Sequence, residues 1–423
     1  MKLLVVGGGG REHAIADKLR RDLPNGTIFA APGNPGTEAV AASVPVDTQN
    51  LESLATFAAD ERVDLTVIGP EVPLADGIVD LFDDRDLPIF GPIRAAAQLE
   101  SSKAFAKELM RDVGVPTADF DVFTDPELAV GYLQELEPPV VVKASGLAAG
   151  KGVIICESLE EARRAIEEIL GGRFGEAGRD VVVEEFLRGD ELSVFFITDG
   201  ERAVPLVSAR DHKRLQEGDR GPNTGGMGAF APVPGIGSEL VETVRRTVAI
   251  PVLEELAARG IPYRGFLYVG LMLTPDGPKV LEFNCRLGDP EAQVVLPLTR
   301  GNLVEPMTAI ARGEGLSDWQ PPSPAGFALV TVLASGGYPE AYPRGLPITV
   351  PEGIESERLR VYHAGTAIRD GQLATAGGRV LGVTGIGDSL AEAGERSRAA
   401  AGAIDFENKH WRRDIGTVTH SSS

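Results

Sequence analysis

Short apolar runs alternate with helical stretches through the first hundred residues, and this alternation constrains the fold more than any other feature. KLLVV, TIFAA, LTVIGP and PIFGP have the length and composition of strands; REHAIADKLRR and LADGIVDLF lie between them with helical character. The alternation predicts a parallel α/β layer over 1–100. Pro92, Ser101 and Ser102 mark a break, and a helix through AFAKELM follows with a serine cap. From about 118 to 200 the pattern changes to hairpins around one helix. Here VVVK, VIIC, VVVEEFL and ELSVFFIT are the strands and SLEEARRAIEEILGG the helix. The segment RDHKRLQEGDRGPNTGGMGAFAPVPG is rich in Gly and Pro and promises few regular elements; a loop of that length is functional or disordered. A helix over SELVETVRRTVAIPVLEELAARG then leads to a hairpin turned at Pro275-Asp276-Gly277. Further strands and one helix fill a C-terminal mixed α/β domain over 325–420, ending in a serine tail. The expected class is therefore α/β (α+β multi-domain).

Bulk properties narrow the function. A length of 423 residues allows about three domains at ~150 residues each. No apolar run approaches the ~18 residues of a membrane span, and MKLLVVGGGG opens on a strand without a signal-peptide layout. Cys156 and Cys285 are the only cysteines and stand far apart, which excludes a disulfide framework. A soluble cytoplasmic protein is expected, with no membrane partner and taken as a monomer. Sixty-two acidic against 41 basic residues give a net charge of −21, and no basic run offsets it, so nucleic acid is not an expected partner.

Several motifs carry chemistry. VVGGGGREHA places glycines between a strand and a helix, where backbone N–H groups and the helix dipole favour an anion. A dinucleotide fingerprint counted from Gly7 would need glycine at position 12, which is Glu12, and the second strand ends in AAPGNPG without an acidic residue. A phosphate on a smaller ligand fits better than NAD or FAD; the alternative is a tight packing turn. GLAAGKGV, Gly146 to Val153, is no Walker loop: three residues separate Gly146 from Gly150, and Gly152 follows Lys151. Its flanks, PPVVVKASG and VIIC, read as strands, so the loop tips a hairpin with Lys143 and Lys151 on its arms. Two lysines bracketing GLAAG favour phosphate contact over a surface role. Glu282 and Asn284 share one strand face and suit Mg²⁺, against the simpler reading of a solvated face. The five histidines, His13, His212, His363, His410 and His420, show no metal spacing, although His212 within RDHKR is placed near the site. No Ser-His-Asp set is present, and neither cysteine has an activating context.

Taken together, these residues resemble the glycinamide ribonucleotide synthetase family of ATP-grasp enzymes in purine synthesis. The resemblance runs over nearly the whole chain through GGREHA, APGNPGT, GPEVPLADG, KASGLAAGKGV, EEFLRGDE, DHKR, GPNTGGMGA and EFNCRLGDPE. It implies an ATP-grasp domain over 101–312 with a lid at about 119–187. It further implies that ATP phosphates meet Lys103, Lys143 and Lys213 and the loop residues Gly150, Lys151 and Gly152. Glu184, Glu185 and Leu187 would lie at the adenine, Glu191 at the ribose, and Asn223 beside the nucleotide. Glu282 and Asn284 would hold Mg²⁺ or Mn²⁺. 5-Phosphoribosylamine would bind at Gly9, Gly10, Arg11, Asn34 and Glu71, with Thr224 and Gly225 also on the substrate side. Arg286, Lys213 and Asp211 would be catalytic in joining glycine to the amine through glycyl phosphate. Another ATP-grasp ligase, such as a carboxylase acting on biotin, is disfavoured by DHKR and GPNTGGMGA. A non-catalytic nucleotide-binding scaffold is disfavoured by the intact Glu282, Asn284 and Arg286.

Overall fold

The computed structural model describes residues 1–148, 151–316, 318–321 and 323–417. Gly150, His420 and the terminal serines lie outside the described residues.

The N-terminal alternation folds as expected. Lys2–Gly7 sits at the centre of a parallel sheet, flanked by Thr27–Pro32 on one side and Leu65–Ile68 on the other, with Ala42–Ser43 and Ile89–Phe90 at the edges. Chain order reverses between Lys2–Gly7 and Leu65–Ile68, and such a switch point opens a crevice at the carboxyl ends of the strands. The helix Gly10–Asp22 leaves the first of these strands, and Glu71–Ala75 begins just past the second. Arg11 and Glu71 therefore reach one crevice from two connections.

The glycine loop tips a hairpin, as its flanks predict. Val140–Ala144 pairs antiparallel with Val153–Cys156, and Lys143 stands opposite Val153. Val181–Glu185 and Phe120–Phe123 complete this lid sheet, and the helix Leu159–Glu168 covers one face. Its core is private: Ala129, Val142, Ile166 and Val183 pack together apart from the main core.

Two expectations need correcting. VVVEEFL and ELSVFFIT do not form a hairpin: Val181–Glu185 stays in the lid, whereas Asp190–Thr198 pairs with Gly265–Thr274 in a different sheet. The chain crosses at Gly189, where a Cβ would lie 2.1 Å from the Leu273 carbonyl oxygen, so only glycine lets the strands approach. The Gly- and Pro-rich segment is also more regular than its composition suggests. Arg210–Asp211 and Gly228–Ala231 are strands that join Phe327–Ala334, Arg379–Gly387 and Leu359–His363 in one antiparallel sheet. Arg214–Gln216 and Arg220–Asn223 form a small hairpin between them.

The second hairpin is as expected. Gly265–Thr274 and Gly277–Asn284 pair antiparallel, with Thr274 opposite Gly277 across the turn. The helix over 238–258 widens at Arg245–Ala249 just before Pro251, which has no N–H to offer a regular turn.

Candidate active site

A cavity of about 410 Å³ opens where the N-terminal crevice, the lid, the end of Gly277–Asn284 and the C-terminal sheet meet. Each wall brings charge.

The N-terminal wall is a chain of ion pairs. Arg11 Nε lies 2.7 Å from Glu12 Oε1, and Arg11 Nη2 3.8 Å from Glu71 Oε2. Arg286 Nε lies 3.2 Å from that same Glu71 oxygen, and Arg286 Nη2 2.7 Å from Glu100 Oε1. Burial disfavours the Glu71 charge, but the Arg286 and Arg11 guanidiniums overcome it and hold the carboxyl down to about 2.

Lys143, Leu147, Ala148 and Gly152 line the lid side, with Lys103 from the start of the helix Lys103–Asp112. Ser102 caps that helix by accepting from Phe105 N at 3.2 Å. Lys103 Nζ donates to the Gly146 carbonyl at 3.4 Å. Glu184 lies behind the cavity, ion-paired to Lys143 and, at 2.5 Å, to Lys107.

On the third side stand Asp211, Lys213, Thr224 and Gly225. Lys213 Nζ is 2.5 Å from Glu191 Oε2 and 3.7 Å from Asp211 Oδ2. Burial raises the Asp211 carboxyl; Lys213 opposes this, Glu291, Glu191 and Glu282 reinforce it, and the result is about 8. Despite burial, Asp211 and Glu191 keep Lys213 firmly charged.

Glu282 and Asn284 both line the cavity floor, as their shared strand face requires. The Asn284 amide is oriented by its surroundings: the nitrogen donates to Glu100 Oε1 and to the Phe283 carbonyl, each at 3.0 Å. Its oxygen is thereby left free to ligate a cation, on the strand face it shares with Glu282. Among the described residues no group of three His, Cys, Asp or Glu side chains is arranged for a metal. One carboxylate and one amide oxygen, near lysines able to bind phosphate, fit a hard cation that keeps waters and phosphate oxygens as its other ligands.

Thus Lys103, Lys143, Gly152, Asp211, Lys213, Thr224, Gly225, Glu282, Asn284, Arg286, Arg11 and Glu71 meet at one cavity. Others stand off it. Lys151 is exposed, and Leu187 is buried. Glu185 pairs with Lys279 at 2.9 Å, and Glu191 stands one ion pair back. Asn223 pairs with Arg214 in the small hairpin. Gly9 N donates to Glu12 Oε2 at 2.6 Å, Gly10 is buried, and Asn34 donates to the carbonyls of Gly8 and His363 at 2.9 and 2.8 Å. His212 is half-buried, tilted against the Phe230 ring and not in the cavity, and desolvation pulls it down to about 4. Burial likewise pushes the Cys156 thiol up to about 11, consistent with an inert role.

Sequence reasoning missed several residues in the cavity wall, Arg379, Tyr338 and Glu100 among them. Arg379 donates to the Asp289 carbonyl at 2.6 Å and pairs with its carboxylate at 3.0 Å. Tyr338 accepts from Gly225 N at 2.9 Å. Glu100 looks in sequence like any exposed helical acid yet is buried. No local pattern marks any of them; only the fold brings them in.

Comparison with known proteins gives a consistent result. Models of phosphoribosylglycinamide synthetase match in order: the N domain over 1–100, the ATP-grasp (A) domain over 101–292 and the C domain over 328–418. The chain is 48% identical to the phosphoribosylamine–glycine ligase of Nostoc sp., covering 100% of both chains. It is 48% identical to the chicken (Gallus gallus) trifunctional purine biosynthetic protein adenosine-3; that match covers 98% of this chain and 42% of the chicken protein. The crystal structure of phosphoribosylamine–glycine ligase from Thermotoga maritima superposes with a TM-score of 0.85 at 37% identity, covering 98% of this chain and 100% of that one. With all three family domains present in order along one chain, it belongs to the phosphoribosylglycinamide synthetase family.

Proposed function

We propose that the protein joins glycine to 5-phosphoribosylamine at the expense of ATP, giving glycinamide ribonucleotide, ADP and phosphate in purine biosynthesis. The observation that carries this reading is the meeting of Lys103, Lys143, Lys213 and Arg286 around Glu282 and Asn284, in a cavity whose far wall is the Arg11–Glu71 crevice. We assign the N-terminal domain to 1–100, the ATP-grasp domain to 101–312 with its lid at about 119–187, and the C-terminal domain to 325–420. The protein acts in the cytoplasm as a monomer.

A carboxylate is a poor electrophile until one oxygen becomes a leaving group. A glycine carboxylate oxygen attacks the γ-phosphorus, ADP departs, and glycyl phosphate forms. Lys103, Lys143 and Lys213 already line the cavity and neutralise the phosphate charge, Lys143 by exchanging Glu184 for a phosphate. Glu282 and Asn284 would hold Mg²⁺ or Mn²⁺, which supplies further charge neutralisation at the phosphates. The lid loop carrying Gly150, Lys151 and Gly152 closes over the triphosphate and excludes water, which would hydrolyse the acyl phosphate. Glu184, Glu185, Leu187, Glu191 and Asn223 serve the nucleoside end.

The amine of phosphoribosylamine then attacks the acyl carbon. Asp211 lines the cavity beside Lys213; in its carboxylate form, which gains as pH rises toward about 8, it takes the proton the nitrogen gives up. Arg286, held by two carboxylates, stabilises the departing phosphate. Gly9, Gly10, Arg11, Asn34 and Glu71 bind phosphoribosylamine, with Thr224 and Gly225 also on the substrate side.

The test is ADP release by the purified protein with Mg-ATP, glycine and freshly made phosphoribosylamine, omitting each in turn. Release should require both acceptors. Equal turnover with biotin and bicarbonate, and none with glycine, would reject the assignment.

A further inference from the structure

One carboxylate gathers the end of the strand that carries the cation donors. Glu100 closes the helix Arg94–Ser101, three residues before Lys103, and its side chain is buried. Its Oε2 accepts from Cys285 N at 2.8 Å and Cys285 Sγ at 3.0 Å. Its Oε1 accepts from Arg286 Nη2 at 2.7 Å and from the Asn284 amide nitrogen at 3.0 Å. Three consecutive residues, 284 to 286, thus donate to a single acid from the preceding domain junction.

The pull on Asn284 has a specific chemical result. A carboxamide can present either oxygen or NH₂, and only the oxygen binds a cation. With both hydrogens on the nitrogen claimed, by Glu100 and by the Phe283 carbonyl, the oxygen alone remains available. Paired with Arg286 at 2.7 Å, Glu100 presents Oε1 to the Asn284 nitrogen as an acceptor, whereas a carboxamide at 100 could turn and donate instead, and so would not enforce this orientation. Outer groups of this kind tune the ligands they touch.

We propose that Glu100 is a positioning residue, which sets the Asn284 amide with its oxygen free for the cation while holding Arg286 beside it. The proposal rests on the cation-binding reading of Glu282 and Asn284.

The test is Mn²⁺ binding, followed by its electron paramagnetic resonance signal, to full-length protein with a non-hydrolysable ATP analogue and no glycine or amine. Affinity for the analogue without metal is measured in parallel. Glu100→Gln should weaken Mn²⁺ binding about 10–100-fold and leave the metal-free analogue affinity within about twofold. The double variant E100Q/N284D should regain most of the loss, because the carboxamide introduced at 100 can donate to the carboxylate introduced at 284. Glu282→Gln is the control and should lose Mn²⁺ binding.

If E282Q loses Mn²⁺ and E100Q binds it as the wild type does, the role of Glu100 is refuted while the metal site stands. If E282Q binds Mn²⁺ normally, the metal reading itself fails. A loss in E100Q that the double variant does not recover would make Glu100 a packing residue only. Should E100Q not fold, E100D keeps the charge but shortens its reach and takes its place in the same comparison.

Discussion

The two long walls of the cavity are built on opposite plans. The lid closes on a core of its own, with Ile166 and Val183 fully buried among lid residues. The facing wall belongs to a core shared by the N-terminal sheet and the central hairpin, and Arg11, Glu71, Glu100 and Arg286 cross-link it over long sequence distances. A unit with a private core can turn as one body once its outer ties loosen; a cross-linked wall stays put. The lid's ties include the pairing of Glu184 with Lys107 and a 3.4 Å contact from Lys143 Nζ to the Leu281 carbonyl. A triphosphate would compete with Glu184 for Lys143.

Removing the keystone of the fixed wall should have the largest effect. Arg286→Met leaves Glu71 and Glu100 without their shared partner, a buried-charge defect of about 3–5 kcal/mol. Thermal melting should fall in a single step, and turnover should drop at least about a hundredfold if the missing charge costs ~3 kcal/mol in the transition state. Melting near that of the wild type would show that the wall does not depend on this pairing.

Core truncations test whether the lid is separate. Ile166→Ala and Leu256→Ala each remove a fully buried side chain, one from the lid core and one from the shared core. Each should cost about 2–5 kcal/mol, but in different places. Hydrogen exchange in I166A should rise over residues 120–185 only, whereas L256A should lower protection throughout the body. Matching global losses would merge the two walls into one cooperative unit.

A smaller effect is expected at the lid tip. A Cβ at Gly152 would lie 2.8 Å from Ala148 Cβ and 3.3 Å from Ala144 Cβ, so Gly152→Val must displace the loop. The KM for ATP should rise about tenfold, ~1.4 kcal/mol, with little change in melting. An unchanged KM would mean that the loop does not grip the nucleotide.

The effect that is smallest at neutral pH is one of acidity. Burial, helped by His363, holds His13 down to about 3, so the folded protein refuses a proton that the unfolded chain accepts below about 6.5. Stability contributed by this group is complete above pH ~6.5 and falls toward pH 3, by at most about 1.4 kcal/mol per pH unit. H13N, whose side-chain oxygen can still accept from His363 N, should flatten the stability profile by that one proton. The lid segment 119–187 contains no histidine, so this loss should be confined to the body. An unaltered profile in H13N would remove His13 as its source.

What the sequence made legible was local. Apolar runs in KLLVV and LTVIGP, the turn at Pro275-Asp276-Gly277, and the strands VVVK and VIIC flanking the glycine loop each act within a few residues, and each appears where the local pattern places it. What it hid was long-range. Nothing in ELSVFFIT says that its partner is Gly265–Thr274 rather than the neighbouring VVVEEFL, since either pairing satisfies the same strand pattern. Glu100 and Arg379 are ordinary charged residues in sequence; their roles exist only because distant segments bury them together.

The C-terminal sheet has a consequence for how the chain is made. Gly228–Ala231 hydrogen-bonds to Phe327–Ala334, so this mid-chain strand finds its neighbour only after 95 intervening residues have been added. At ribosomal speeds of ~5–20 residues per second, its edge waits about 5–20 s without that partner. During that interval Gly228–Ala231 offers bare backbone donors and acceptors to other nascent chains. The closing strands are thus also a protective cover that arrives late, and the yield of soluble protein should depend on how promptly the last quarter of the message is translated.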